Sequence, residues 1–308
     1  MIDLHHDLLS ILYYSYLRND YQYVEKWISN FGKDNVSGLL ANLYFMSPDE
    51  MRKEMGDTSI DVLEMFHIST QLFHKYLPFE KVVFSIEGCD YIKSEDELEV
   101  LYQLGLRNIL LVWNHPNRYG CGVYGTYGLT DEGKKFLKKA IDLGICIDVS
   151  HMNQDTFYDT IDFIRQQQLL GKKVRVIASH SNCFEICSHV RNLDEKQLRA
   201  LKSVGGLLGL VSYSVFVRDD DSPLDLDTLY LEHIEKAVSI MGIDYVGVSS
   251  DDMEFAKVLF EEDFGSMIFP YSEFQERLKK LLQKKFTKEE IDKILYQNVY
   301  RVFKEELK

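Results

Sequence analysis

Eight short apolar runs, each followed by an amphipathic helical stretch, limit what this chain can fold into. The runs cover residues 2–5, 38–45, 82–86, 108–112, 145–149, 174–179, 207–212 and 245–250. Most are near-continuous Val/Ile/Leu segments, the pattern of parallel strands covered on both faces. Helix signals separate them. Thr130 is placed to cap a helix that carries Phe136, Leu137, Ala140 and Ile141 on one face and stops at Gly144. Asp194 with Gln197 forms a capping-box pattern closed by Gly205 and Gly206. Residues 225–241 gather Leu229, Ile234, Val238 and Met241 near one stripe before Gly242. Thr287 with Glu290 opens a further helix, and 296–306 reads as a helical run. This alternation predicts an α/β fold, a (β/α)8 TIM barrel rather than a doubly wound sheet. A chain of 308 residues fits one such barrel, so 1–308 reads as a single domain. Insertions are expected around 49–80 and irregular loops over 251–270, both near one mouth, with extra helices at the C-terminal end. No Gly/Ser-rich linker divides the chain.

Composition narrows the function classes. Hydrophobic residues at 45% and charged residues at 27% suit a globular chain with a large core. The longest apolar stretches, 109–113 and 207–211, are strand-sized, far short of a membrane span. A formal net charge of −14, from 49 acidic against 35 basic residues, argues against nucleic acid as a partner. Five cysteines (Cys89, Cys121, Cys146, Cys183, Cys187) form no CxxC pair, so they are expected as core residues rather than as a disulfide scaffold or zinc knuckle. The first motif begins at Asp3, which leaves no room for a secretory signal. The expectation is a cytoplasmic protein with no membrane partner.

The informative residues follow the strands. Reading outward from the run ends gives His5 and Asp7, Glu87, Asn114 and His115, His151, His180, Tyr213 and Asp251. In a barrel these ends converge on one face, where active sites sit. His67, His74 and His233 fall in helical stretches, where a surface position is expected. A single strand-end histidine is ordinarily a hydrogen-bonded loop residue. A cluster of desolvated imidazoles and carboxylates is costly unless a cation neutralises it. Histidine nitrogen with carboxylate oxygen suits zinc, and also manganese, iron or cobalt. His5 and Asp7, two apart in an extended segment, point the same way, and Glu87 can bridge two ions. Such a pair, about 3.5–4 Å apart, lowers the pKa of a shared water toward about 7 and polarises a carbonyl. Asp251 is placed to shuttle the proton to a leaving amine.

These residues sit in segments that resemble the membrane (renal) dipeptidase family of zinc metallopeptidases, amidohydrolase-like barrels. Asp3-Leu4-His5-His6-Asp7 resembles the family's D-G-H-N-D opening, and Ile86-Glu87-Gly88 its E-G element. Leu129-Thr130-Asp131-Glu132-Gly133 with Ile147-Asp148-Val149-Ser150-His151 resembles G-L-T-x-x-G … I-D-x-S-H. Ala178-Ser179-His180-Ser181 with Arg191-Asn192 resembles S-H-S … R-N, and Asn298-Val299-Tyr300-Arg301-Val302-Phe303 resembles N-x-x-R-V-F. The resemblance implies two zinc ions, one on His5, Asp7 and Glu87, the other on Glu87, His151 and His180, with a bridging hydroxide as nucleophile. It implies Asp251 as catalytic acid/base, Arg191 as the binder of the substrate's terminal carboxylate and Tyr213 as a substrate contact. The implied activity is dipeptide hydrolysis, and a homodimer is compatible with it. Hydrolysis of another amide (an N-acyl amino acid, cyclic amide or lactam) and a silent binding paralogue are the alternatives. Four departures stand out. Leu4 replaces Gly, and Cys89 replaces the second Gly of E-G-G. Ser250-Asp251-Asp252-Met253-Glu254 replaces S-D-F-D-G. Trp113 occupies the place of a substrate-polarising His, which makes His115, two residues on, a substrate-binding candidate.

Overall fold

Each apolar run forms a parallel strand, and the eight strands follow one another in sequential order in one sheet: β1 (Ile2–His6), β2 (Gly38–Tyr44), β3 (Val82–Glu87), β4 (Leu106–Leu110), β5 (Cys146–Asp148), β6 (Val176–Ala178), β7 (Leu207–Val211) and β8 (Val246–Ser249). The computed structural model describes residues 1–31, 37–45, 60–77, 81–219, 222–252 and 267–308. Of the insertions expected over 49–80, residues 60–77 are described, and Val62–Tyr76 forms a helix. Of the loops expected over 251–270, residues 253–266 lie outside the described residues.

The sheet curls into a nearly closed (β/α)8 barrel. At the seam, β1 and β8 are joined largely through a side chain. Asp3 Oδ1 accepts the Ser250 N–H at 2.9 Å, and Oδ2 accepts the Ser250 hydroxyl at 2.5 Å. The Asp251 N–H donates to the His5 carbonyl at 3.1 Å.

Strand alternation sorts the buried side chains into two bodies. Leu39, Ala41, Phe84, Ile86, Ile109, Ile147, Leu208, Leu210 and Val248 pack outward on the helices. Ile2, Leu4, Leu40, Val83, Cys146, Ile177 and Leu207 form a separate cluster with Val299, Phe303 and Leu307 of the C-terminal segment. That segment is fixed by Asn298, whose amide donates to the Ile243 and Val246 carbonyls at 2.7 and 2.8 Å. Arg175 adds an ion pair to Glu306 at 2.7 Å. Leu4 finds room because β7 and β8 offer Gly209 and Gly247. A Cβ at either would stand 2.9 or 2.7 Å from Leu4 Cδ1.

The helices start and stop where their local chemistry dictates. Thr130 Oγ1 accepts the Gly133 N–H at 2.9 Å, and Gly144 ends that helix with φ of +80°. Both capping boxes form, Asp194 with Gln197 and Thr287 with Glu290. On the helix Leu226–Met241, Leu229, Ile234 and Met241 are buried and Val238 is half-buried. The run expected over 296–306 is broken differently: Lys293–Gln297 is a π-helical turn, and the helix ends at Val302. His233, expected at the surface, is fully buried, because it shares the inward stripe of Tyr230, Ile234 and Ala237. Its Nδ1 accepts the Cys183 N–H and its Nε2–H donates to the Val217 carbonyl, both at 3.0 Å. All five cysteines are buried and unpaired. Cys89, at the departing E-G-C position, turns its thiol to the Leu110 carbonyl at 3.3 Å.

Candidate active site

The strand ends bring six ionisable side chains into one buried cluster. A bulge in β1 sets the first of them: Asp3 pairs with Leu39 and His6 with Ala41, so three residue steps oppose two. Bulges re-aim side chains, and here Leu4 packs in the barrel interior while His5 joins the cluster above it. Gly88, with φ of +86°, turns the chain directly after Glu87. His151 and Asp251 also have positive φ, at 70° and 51°, a conformation that costs a non-glycine residue about 1–3 kcal/mol and persists only where the surroundings enforce it.

Glu87 is the hub. Its Oε2 lies 3.2 Å from His5 Nε2, while its Oε1 lies 2.8 Å from His151 Nε2 and 3.5 Å from His180 Nε2. The His151 and His180 Nε2 atoms are 2.9 Å apart. Asp7 Oδ1 and Asp251 Oδ1 stand 3.6 and 3.7 Å from His5 Nε2 on the other side. Among the described residues, two triads have donor atoms within 4.8 Å of one another and share His5: His5 with Glu87 and His180, and His5 with Asp7 and Asp251. Asp251 thus reaches the same neighbourhood as the expected ligands. His5 Nε2 and Asp7 Oδ1 are buried with no hydrogen-bond partner among the described residues. A divalent cation satisfies both atoms and the negative charge beside them, so the donor set fits metal binding.

Beneath the cluster lies a polar layer that the apolar appearance of the strands conceals. Asn42, Ser85, Asn108, Asp148 and Ser179 are all fully buried. Asp148 Oδ1 accepts the Ser150 and Ser179 N–H groups at 3.0 and 3.1 Å, and Asn108 donates to Ser85 Oγ at 2.8 Å. Each histidine has a neutral neighbour at Nδ1. Asn114 Oδ1 accepts from His151 at 2.8 Å, Ser179 Oγ pairs with His180 at 2.7 Å, and the Asn42 amide meets His5 at 3.0 Å. With Nδ1 engaged, Nε2 is the nitrogen turned toward Glu87. Asn42 escaped the sequence reading, and Ser179 entered it only as a member of the S-H-S segment. The signal of Asn42 was a lone polar residue in the otherwise apolar strand β2.

Burial dominates the electrostatics. It pulls His151 down to about 3 and His180 well below the ordinary imidazole value, so both rings are neutral donors. Burial also opposes charge on His5 and Glu87, yet their mutual attraction outweighs it, raising His5 and lowering Glu87. Desolvation, with Asp7 and Glu87 nearby, raises Asp251 to about 7 against the opposing pull of His5.

Arg191 is 5% exposed, its Nη2 is buried without a hydrogen-bond partner among the described residues, and its guanidinium lies 5.7 Å from the Phe216 ring. Burial brings it down to about 10 against the pull of Glu87 and Asp251, so it stays charged at neutral pH. Tyr213 is buried, its ring 5.8 Å from Phe216. His115 lies exposed on the rim between Trp113 (6.1 Å) and Tyr124 (5.5 Å), whereas Trp113 itself meets the His151 ring at 6.0 Å.

With this geometry in hand, the chain can be set beside known proteins. The family model for membrane dipeptidase, peptidase family M19, matches residues 79–308. An uncharacterised protein from the pqqA 5′ region of Klebsiella pneumoniae is 32% identical over 237 residues, covering 72% of this chain and 81% of that protein. A metallopeptidase from Rhodobacter sphaeroides, solved with a phosphinate mimic of the dipeptide L-Ala-D-Ala, superposes with a TM-score of 0.76 at 20% identity, over 98% of each chain. The solved metallopeptidase dipeptidase AC gives a TM-score of 0.78 at 20% identity, covering 99% of this chain and 98% of that one. Among the described residues no helix is long and apolar enough to cross a membrane. The chain belongs to the membrane dipeptidase family of metallopeptidases, peptidase family M19.

Proposed function

We propose that this metallopeptidase hydrolyses dipeptides with a pair of divalent ions, zinc foremost, held by His5, Asp7 and Glu87 on one side and by Glu87, His151 and His180 on the other. The observation that carries this reading is the division of Glu87: one oxygen faces His5, and the other faces His151 and His180. When bound, such ions supply an acidified water and polarise the scissile carbonyl.

The chain's own residues do the rest. Arg191, buried and charged, offers a planar donor pair to the substrate's terminal carboxylate. Tyr213, buried beside Phe216, lines the same side. Asp251, raised to about 7, takes a proton at its carboxylate and passes it to the departing amine. Cations nearby lower its pKa from that value and favour the proton-accepting form. The dipeptide-mimic ligand of the Rhodobacter structure and the dipeptidase names of other family members support this substrate class.

The test is amino-acid release from a panel of L-Xaa-L-Xaa and L-Xaa-D-Xaa dipeptides, with added zinc and a chelator control. Zinc-dependent release that the chelator abolishes is expected. No release from any dipeptide by folded, zinc-loaded protein would overturn the proposal.

A further inference from the structure

His6 stands between two expected ligands, His5 and Asp7, yet its ring is elsewhere. It packs edge-on against Trp27 at 4.8 Å and Tyr271 at 5.0 Å, and it is fully buried. Among the described residues, neither of its nitrogens has a hydrogen-bond partner. Asp252, 1% exposed, faces it with Oδ2 3.7 Å from His6 Nε2, and Asp3 and Asp7 of the histidine's own segment also lie nearby. Asp252 in turn follows Asp251, which sits in left-handed backbone and is tied to β1 by its N–H to the His5 carbonyl. The His6–Asp252 contact therefore crosses the barrel seam just behind the cluster, between the residue next to two ligands and the residue next to the acid/base.

We propose that His6 and Asp252 are paired positioning residues: their contact sets β1 against β8 so that Asp251 is held over His5 and Asp7. A left-handed aspartate persists only where its surroundings dictate it, and the seam supplies those surroundings from both sides. Both members of the contact depart from the signature segments quoted above: His6 stands where the opening segment has Asn, and Asp252 where the last strand has Phe. Two side chains that act through one contact lose it once, so removing the second adds little to removing the first, which gives the pair a distinctive signature.

The inference rests on the metal-site reading, so the test measures zinc affinity and turnover separately in the full chain. His6→Ala, Asp252→Ala and the double variant are titrated with zinc against a chromogenic chelator and then assayed for dipeptide hydrolysis. Each single change is expected to weaken zinc binding and lower kcat about tenfold with little change in KM, and the double variant to lose no more than the worse single. Losses that multiply, or a lower Tm with zinc affinity and kcat unchanged, would overturn the pairing. Wild-type protein that binds no zinc would instead sink the metal-site reading itself. Should the alanine variants not fold, His6→Asn and Asp252→Asn are read by the same criteria.

Discussion

Asp251 and Asn114 show how differently two neighbours of one site contribute. In the proposed mechanism Asp251 acts through its proton, so Asp251→Asn is expected to keep zinc binding while kcat falls by about 10²–10⁴; metal analysis beside steady-state kinetics checks both halves, and full turnover would remove the proposed role. Asn114 acts through geometry, by accepting from His151 Nδ1 and fixing which nitrogen is offered. Asn114→Leu is expected to weaken zinc binding about 10–100-fold, as loss of a ligand's outer partner does, measured by chelator competition. The two residues were also unequally legible. Strand-end residues such as Asp251 stand out because a barrel collects the residues that follow its strands at one mouth. Asn42 was not legible, because one polar residue within an apolar run carries no chemical label until the strand's inward face is known.

At the level of strands and helices, Leu4 and Gly247 test whether the barrel interior is packed as a unit. Gly247→Ala puts a methyl 2.7 Å from Leu4 Cδ1 and is expected to cost about 1–3 kcal/mol, the usual range for overpacking. Leu4→Ala alone is expected to cost about 2–5 kcal/mol as a cavity. Together they should cost clearly less than their sum, because the methyl of one fills space left by the other; urea unfolding of all three variants measures this, and strict additivity would refute it. The elements themselves were mostly readable. Capping by Thr130, Asp194 and Thr287 is decided within four residues, and each such helix starts where the sequence says. The π-helical turn at Lys293–Gln297 was not readable, because it lies beside Asn298, whose partners Ile243 and Val246 are some fifty residues away in the chain.

Across the whole molecule, the buried histidines make stability depend on pH, and His233 isolates the effect because it lies outside the ligand cluster. Burial lowers it to about 4, against about 6.5 in an unfolded chain. The unfolded state therefore binds the extra proton first. The stability it supports is complete above about pH 6.5, falls as pH drops toward 4 and levels off below, a total of about 3 kcal/mol. Unfolding free energies of wild type and His233→Gln between pH 7 and 4 should converge as pH falls, and parallel curves would contradict this. The seating of Val299, Phe303 and Leu307 against Ile2 and Leu4 has a consequence of a different kind. During synthesis these three residues leave the ribosome after all eight strands, so the earliest strand waits for its floor until every other strand has been made. A nascent chain can assemble the outer layer of helix on sheet as it emerges, but the inside of its barrel stays open to water until that later segment arrives, and this is the interval in which a chaperone has something to hold.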